Sequence, residues 1–268
     1  MISVIIPVFN AEKTIVKSLL SVQDQTWKGD FEVIVVNDGS TDNSRTLIEK
    51  FIKENPHQNI KLIGQENGGV SRARNTALKI CKGDFIALLD ADDEWFPEKT
   101  ERQMLLLENK NFNIDFIGCK RQGQSIKFPY NLTSNNLIEV TFRKLMFRNE
   151  TQPSTVLFKR KVLENSGFFN ENQRYAEDLN YWLKVSEKNN MFILNEELVL
   201  AGEGKRSFGV SGLSANLFEM ERGFQKNLKE VFDLKRINFS EYVCYFIFYK
   251  FKYVFRLARN KYLKFQGK

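Results

Sequence analysis

Two carboxylates one residue apart, Asp90 and Asp92, close the apolar run from Phe85 to Leu89. The carboxyl end of a buried strand is where open α/β sheets bind their ligands, and paired carboxylates there offer hard oxygens to Mg²⁺ or Mn²⁺. Asp93 puts a third carboxylate into the stretch Asp90-Ala91-Asp92-Asp93. Such crowding is eased by a divalent cation or by hydrogen-bond donors. A loop capping the helix after Pro97 is the plainer alternative.

Three further polar clusters carry the same signature. In Asn37-Asp38-Gly39-Ser40, Asp38 can accept a hydrogen bond from a base or ribose and Gly39 allows a tight turn into the next helix; an ordinary N-cap turn explains it equally well. Asn67-Gly68-Gly69 precedes Arg72, Arg74 and Asn75, and glycines at a helix start present backbone N–H groups to a diphosphate. Glu177-Asp178 opens a predicted helix, where the macrodipole favours ionised carboxylates. Trp182, four residues beyond Asp178, shares its helix face.

The elements that must position these residues follow from periodicity. Strand-like runs at 3–8, 31–37, 60–64 and 85–90 alternate with helical segments, including 44–53 and 70–81. This βαβαβαβ pattern predicts a parallel sheet with right-handed crossovers. Beyond Pro97 we expect a helix at 98–109, strands at 114–119, 155–159 and 192–199, a helix from 177 to about 188, and no clear period from 120 to 136. We divide the chain into a nucleotide-binding half (1–97), an acceptor-facing half of the same sheet (98–214) and a helical, basic and aromatic extension (215–268).

Bulk properties narrow the class. The 268 residues, 42% of them hydrophobic, suffice for one large α/β domain. Cys81, Cys119 and Cys244 are widely spaced and odd in number, which argues against a disulfide framework or a structural zinc site and fits a reducing cytoplasm. The apolar start lacks a basic leader and is broken by Pro7, so it reads as a first strand. The lone histidine, His57, sits in a polar turn and leaves no basis for Ser-His-Asp chemistry or a multi-histidine metal centre.

Taken in order, Pro7-Val8-Phe9-Asn10, Asn37-Asp38-Gly39-Ser40, Asn67-Gly68-Gly69 with Ala73-Arg74-Asn75, Asp90-Ala91-Asp92, and Glu177-Asp178 with Trp182 resemble glycosyltransferase family two, inverting enzymes of GT-A fold. The resemblance spans roughly residues 2–215 and implies a Rossmann-like, mainly parallel mixed sheet flanked by helices. It also implies a nucleotide-sugar donor, with a UDP-sugar expected, and a glycan or lipid-linked glycan acceptor in surface-glycan synthesis. Pro7, Val8 and Asn10 would line the nucleoside pocket, Asp38 would meet uracil or ribose, and Asn67 and Arg74 would flank the donor. Asp90, Ala91 and Asp92 match the acidic motif, with Asp92 on Mn²⁺ or Mg²⁺. Asp178 would be the general base, with Glu177 and Trp182 on the acceptor side. The segment 202–214 loosely resembles the family's flexible loop, with Lys205 and Arg206 as phosphate partners. Asn37 departs from the pattern, where an aspartate is frequent, and leaves base identity open. Within the α/β class, a nucleotidyltransferase or a non-catalytic glycan-assembly protein of the same fold remains the rival reading.

The tail has its own signature. Seven basic residues and no acidic one lie between Tyr249 and Lys268, which leaves 33 basic against 33 acidic residues elsewhere and accounts for the net charge of +7. Cys244, Phe248, Phe251, Phe255, Ala258, Tyr262 and Phe265 recur at helical spacing. The uncharged run 242–249 is far short of the roughly 20 residues that span a bilayer. An interfacial helix on an anionic membrane at the inner face of the cell is therefore expected. A helix packed on the domain, or on a second copy in a homodimer, is the alternative. Nucleic acid is not an expected partner, because no reader fold accompanies the charge.

Overall fold

The computed structural model describes residues 1–133, 135–202 and 212–266. The chain begins β1 (Ile2–Val8), α1 (Ile15–Gln23), β2 (Phe31–Asp38), α2 (Ser44–Glu54) and β3 (Ile60–Gln65), each strand parallel to the one before. After α3 (Val70–Leu78) the chain returns to the opposite side of β1, where β4 (Phe85–Leu88) pairs in parallel with it. The direction of winding therefore reverses between β1 and β4. A crevice opens at such a reversal, outside the carboxyl ends of the strands.

The remaining elements are β5 (Glu94–Trp95), α4 (Lys99–Leu107), β6 (Phe116–Arg121), β7 (Leu137–Val140), α5 (Phe142–Phe147), β8 (Leu157–Lys159), α6 (Arg160–Ser166), α7 (Glu177–Val185), β9 (Met191–Leu200), α8 (Leu217–Asp233) and α9 (Phe239–Phe265). They extend one mixed sheet of order β3-β2-β1-β4-β8-β6-β9-β5, with β7 also on β9. β8 runs antiparallel to β4 and β6, while β6 and β9 are parallel. The sheet is mixed because the half after residue 97 enters it through these reversed strands.

Both faces of the sheet are covered, which is why its strands read as nearly unbroken apolar runs. Ile2, Val4, Ile6 and Val8 of β1 pack on one side with Ile15 and Leu19, while Ile5 joins Phe116, Phe158 and Trp182 on the other. The period-two alternation of a strand sets this division. Gly39, at φ 73, takes the chain from β2 toward α2 with a Cβ position only 2.9 Å from the Asn67 backbone nitrogen. A side chain there would push apart the loops that follow β2 and β3.

Beyond the aperiodic stretch 120–136, three elements appear that the sequence did not announce, β7, α5 and α6. Each is short, with four, six and seven residues, too few to develop a clear hydrophobic period. The C-terminal extension is helical, as expected, and consists of two packed helices, α8 and α9. Along α9, Tyr249 donates to the Met146 carbonyl at 2.6 Å and Lys252 to the Phe147 carbonyl at 2.9 Å. Among the described residues no helix is long and apolar enough to cross a membrane.

Candidate active site

The loop after β4 is held from both sides. Asp90 N–H donates to Ser154 Oγ at 2.9 Å, while Ser18 Oγ of α1 donates to the carbonyls of Ala91 (2.9 Å) and Asp93 (2.7 Å). These bonds settle how the crowded carboxylates coexist. Asp93 turns inward, accepting from Gly202 N–H at 2.7 Å, and Asp92 remains exposed. Burial, with Asp90 and Asp92 close by, pushes Asp93 up to about 7.

Asp90 faces Arg74, the center of the site. Arg74 is 2% exposed and its guanidinium donates to Asp90 Oδ1 at 2.7 Å and to Glu177 Oε1 at 3.0 Å. One rigid fork therefore ties the acidic loop of the first half to the start of α7 in the second. Burial works against the charge on Arg74, but the two carboxylates outweigh it and raise its affinity for the proton. The next residue, Asn75, bonds both the N–H and the carbonyl of Phe169 at 2.9 Å. The sequence Ala73-Arg74-Asn75 thus joins the two halves. Arg74 and Glu177 were expected on donor and acceptor; here they hold each other, because a buried guanidinium needs both anions.

The clamp brings Asp178 beside the acidic loop. Asp178 sits in the first turn of α7, with Asn149 Nδ2 donating to its Oδ2 at 3.0 Å. Burial first, then the neighbouring Glu177, lifts it to about 7. A carboxylate poised there is suited to taking a proton near neutrality. The turn before it is strained: Ala176 has φ 54, in the left-handed region, and its carbonyl accepts from Asn227 Nδ2 of α8 at 2.9 Å. α8 approaches closely because Gly223 faces the Tyr175 carbonyl, 2.3 Å from where a Cβ would stand. Asn149 went unrecognised in the sequence, since it stands in the short connection after α5, where no motif marks one asparagine above others.

On the nucleotide side, Asp38 is 3% exposed and its carboxylate accepts from Gln65 Nε2 (2.7 Å), Gly68 N–H (2.9 Å) and Gly69 N–H (2.8 Å). Three of its roughly four acceptor positions are filled. Asp38 therefore shapes the Gly68-Gly69 turn, and the expected base or ribose contact would displace one of these donors. Asn67 stays exposed, donates to the Asp38 carbonyl at 2.9 Å and lines a cavity of about 220 Å³ with Gly68, Gly69 and Arg174. Pro7 and Val8 are buried in β1 and Ala91 is also buried, so they wall the crevice from behind. Asn10 is exposed, at φ 51, and its Oδ1 accepts from Thr41 N–H at 2.9 Å. Phe9, which composition alone would send inward, is 50% exposed at the end of β1.

One expected contact changes. Trp182 is completely buried against Phe116, Phe169 and Tyr181 and is a core residue, because the Asp178 face at its position already points into the sheet. It cannot floor an acceptor sugar. Lys205 and Arg206 lie outside the described residues. For a divalent cation, no group of three or more His, Cys, Asp or Glu side chains among the described residues forms a complete site. Of the loop's three carboxylates, Asp92 is the exposed one, beside Asp90 on Arg74 and Asp93 on Gly202. That donor set fits a cation that takes its other oxygens from substrate phosphates and water, as Mg²⁺ commonly does.

The glycosyl transferase family 2 model matches residues 3–184. The chain is 32% identical over 229 residues to the Escherichia coli UDP-Glc:alpha-D-GlcNAc-diphosphoundecaprenol beta-1,3-glucosyltransferase WfgD, covering 82% of this chain and 81% of that one. A Rickettsia bellii uncharacterized glycosyltransferase is 34% identical over 197 residues, 74% of this chain but 28% of its own length. The chain thus corresponds to under a third of that relative. In structure it resembles Staphylococcus aureus TarS 1–349 in complex with UDP-GlcNAc (TM-score 0.67, 24% identity, 86% of this chain and 66% of that chain). It also resembles the mannosyltransferase PcManGT of Pyrobaculum calidifontis in complex with GDP-Man and Mn²⁺ (TM-score 0.64, 19% identity, 87% and 64%). At these identities the structural likeness speaks for the fold.

Proposed function

Since the chain belongs to glycosyl transferase family 2, we propose that it moves a hexosyl or hexosaminyl group, with inversion, from a UDP-sugar to a hydroxyl of a lipid-linked glycan, at the cytoplasmic face of a membrane. The observation that carries this reading is the Arg74 clamp, which sets Asp178, poised at about 7, beside the acidic loop Asp90–Asp92. The UDP donor and lipid-linked acceptor are supported by what WfgD is named for, and the nucleotide by the UDP-GlcNAc held by TarS.

The chemistry assigned to the chain's residues is a single displacement. Asp178 accepts the acceptor hydroxyl's proton as that oxygen bonds to the anomeric carbon, on the face opposite the departing diphosphate. Positioned proton transfer of this kind contributes roughly 10²–10⁴-fold. Asn149 fixes which carboxylate oxygen faces the hydroxyl, and Glu177, neutralised by Arg74, holds the first turn of α7 in place. Phe9 offers an exposed aromatic face on which a nucleobase stacks, while Asn67 and the Gly68-Gly69 turn border the donor. Mn²⁺ or Mg²⁺, held by Asp92, supplies Lewis-acid stabilisation of the leaving diphosphate when bound.

Thermal unfolding against UDP, GDP and CMP with Mn²⁺, followed by donor hydrolysis across a nucleotide-sugar panel, tests the proposal. A rise in melting temperature with UDP above the other two, and hydrolysis of at least one UDP-sugar, is expected. Indifference to all three nucleotides would overturn it.

A further inference from the structure

The long helix α9 has two unlike faces. Inward, Phe248 stacks on Phe147 at 4.6 Å, Tyr249 and Lys252 hold the carbonyls of Met146 and Phe147, Lys250 pairs with Glu221, and Arg256 lies over the Phe224 ring at 4.8 Å. Burial, with Arg256 and Arg148 nearby, pulls Lys252 down to about 8. Much of the basic charge that the sequence placed on a free polar face is therefore used against the domain. The apolar stripe is corrected too: Phe248 belongs to the packed side.

Outward, Val243, Ile247, Phe251 and Val254 follow one another at spacings of four and three and are 37%, 62%, 70% and 62% exposed, and Phe265, eleven residues further on, is 92% exposed. Phe255 and Tyr262, 61% and 60% exposed, widen the strip. Large apolar side chains left bare in a continuous row mark an interaction surface rather than ordinary surface scatter. The strip is edged by the exposed cations Arg259 and Lys261, and Lys264 and Lys268 follow in sequence. The only carboxylate in the helix, Glu241, is paired with Arg143 at the far end.

We propose that this face lies flat on an anionic lipid bilayer, with the aromatic and aliphatic side chains at the acyl–headgroup boundary and the cations on lipid phosphates. The helix, at about 1.5 Å per residue, offers roughly 40 Å of such contact. Charge selects lipid over a second copy of the chain. Two such faces packed together would bury the cationic end with no carboxylate to meet it, whereas anionic headgroups meet it directly. The proposal does not depend on the catalytic assignment, because none of the strip's residues borders the crevice. It carries one consequence for that site: the same helix, through Tyr249 and Lys252, holds the segment that ends in Asn149 on Asp178.

Flotation of the full chain with phosphatidylcholine vesicles, and with vesicles one-third phosphatidylglycerol, tests this. Truncation before α9 is avoided because it would strip the packed inward face. The wild type is expected to float with anionic vesicles and far less with neutral ones. Phe251→Glu with Val254→Glu should lose at least about tenfold in partitioning, and Arg259→Ala with Lys261→Ala about fivefold for each cation removed. Both double variants should keep the wild-type melting temperature and its response to UDP, since these side chains face solvent. Equal binding to both vesicle types, binding to neither, or unchanged flotation of the glutamate variant would overturn the proposal. So would a wild-type dimer in sedimentation that the glutamate variant converts to monomer, which would assign the strip to a second copy.

Discussion

Replacing Arg74 by methionine removes the one group that joins the two halves of the site, and its cost follows from the geometry. The guanidinium is 2% exposed and makes two charged hydrogen bonds, of 2.7 and 3.0 Å, to carboxylates whose side chains are 30% (Asp90) and 12% (Glu177) exposed. Breaking a buried pair by removing one partner costs about 3–5 kcal/mol, because it leaves an uncompensated charge. Asp90 is wet enough for water to take over part of its share, so the low end, about 3 kcal/mol, is expected. For a chain of this size that is a fall of roughly 6–12 °C in melting temperature. Glu177→Gln in the same background removes the more deeply stranded charge, so the two substitutions should couple by about 1–3 kcal/mol rather than add. Arg74→Lys, which presents one ammonium in place of a fork, should fall between methionine and wild type. Thermal unfolding of the wild type, the two single variants and the double variant measures the coupling. Additivity to within about 0.5 kcal/mol would refute the clamp as the joint between the halves.

The rate of transfer should rise with pH along a limb centered near 7, where Asp178 ionises, and a limb below about 5 would contradict the burial that shifts it. The stability of the ligand-free protein should move the other way. Asp93 and Asp178 titrate near 7 in the fold against an ordinary 3.8, so between these values the native state keeps protons the unfolded chain has released, and stability falls as pH rises until it levels above 7. Asp93→Asn should flatten that slope, and an unchanged slope would count against Asp93. Asn149→Asp sets a second carboxylate 3.0 Å from Asp178 Oδ2, so its pH–rate limb should shift upward while UDP still raises the melting temperature; an unmoved limb would remove Asn149 from the site. Gly223→Ala places a methyl where the Tyr175 carbonyl stands 2.3 Å away, and the shift this forces next to Ala176 should lower both melting temperature and turnover, whereas wild-type behaviour in both would show that α8 does not set the α7 start.

The first half of the fold was legible because β1, β2 and β4 are buried on both faces and its helices are long enough to show a period. The acidic loop and Asp178 were legible as well, since carboxylates at strand and helix ends stand out by type. What escaped was partnership. Nothing in the sequence says that Arg74 turns away from solvent to hold Asp90 and Glu177, that Asp38 is occupied by the Gly68-Gly69 turn, or that Asp93 answers Gly202. These pairings cross from 16 to more than 100 residues of sequence, and local pattern carries no register between such distant points. Trp182 shows the converse: its spacing from Asp178 is right for a shared helix face, yet packing against Phe116 and Phe169 decides where the ring goes. In the tail, helical period found the apolar residues but did not tell which edge of the stripe meets α8.

The assignment of Asp178 as the base is tested most directly by transfer kinetics of Asp178→Asn, measured with the UDP-sugar and acceptor that support wild-type turnover and with donor-induced thermal stabilisation recorded on the same protein. Asparagine keeps the shape and can still meet Asn149, but it takes up no proton. Transfer lowered by roughly 10²–10⁴-fold with stabilisation by the donor intact is the predicted result. Transfer at the wild-type rate would contradict the account.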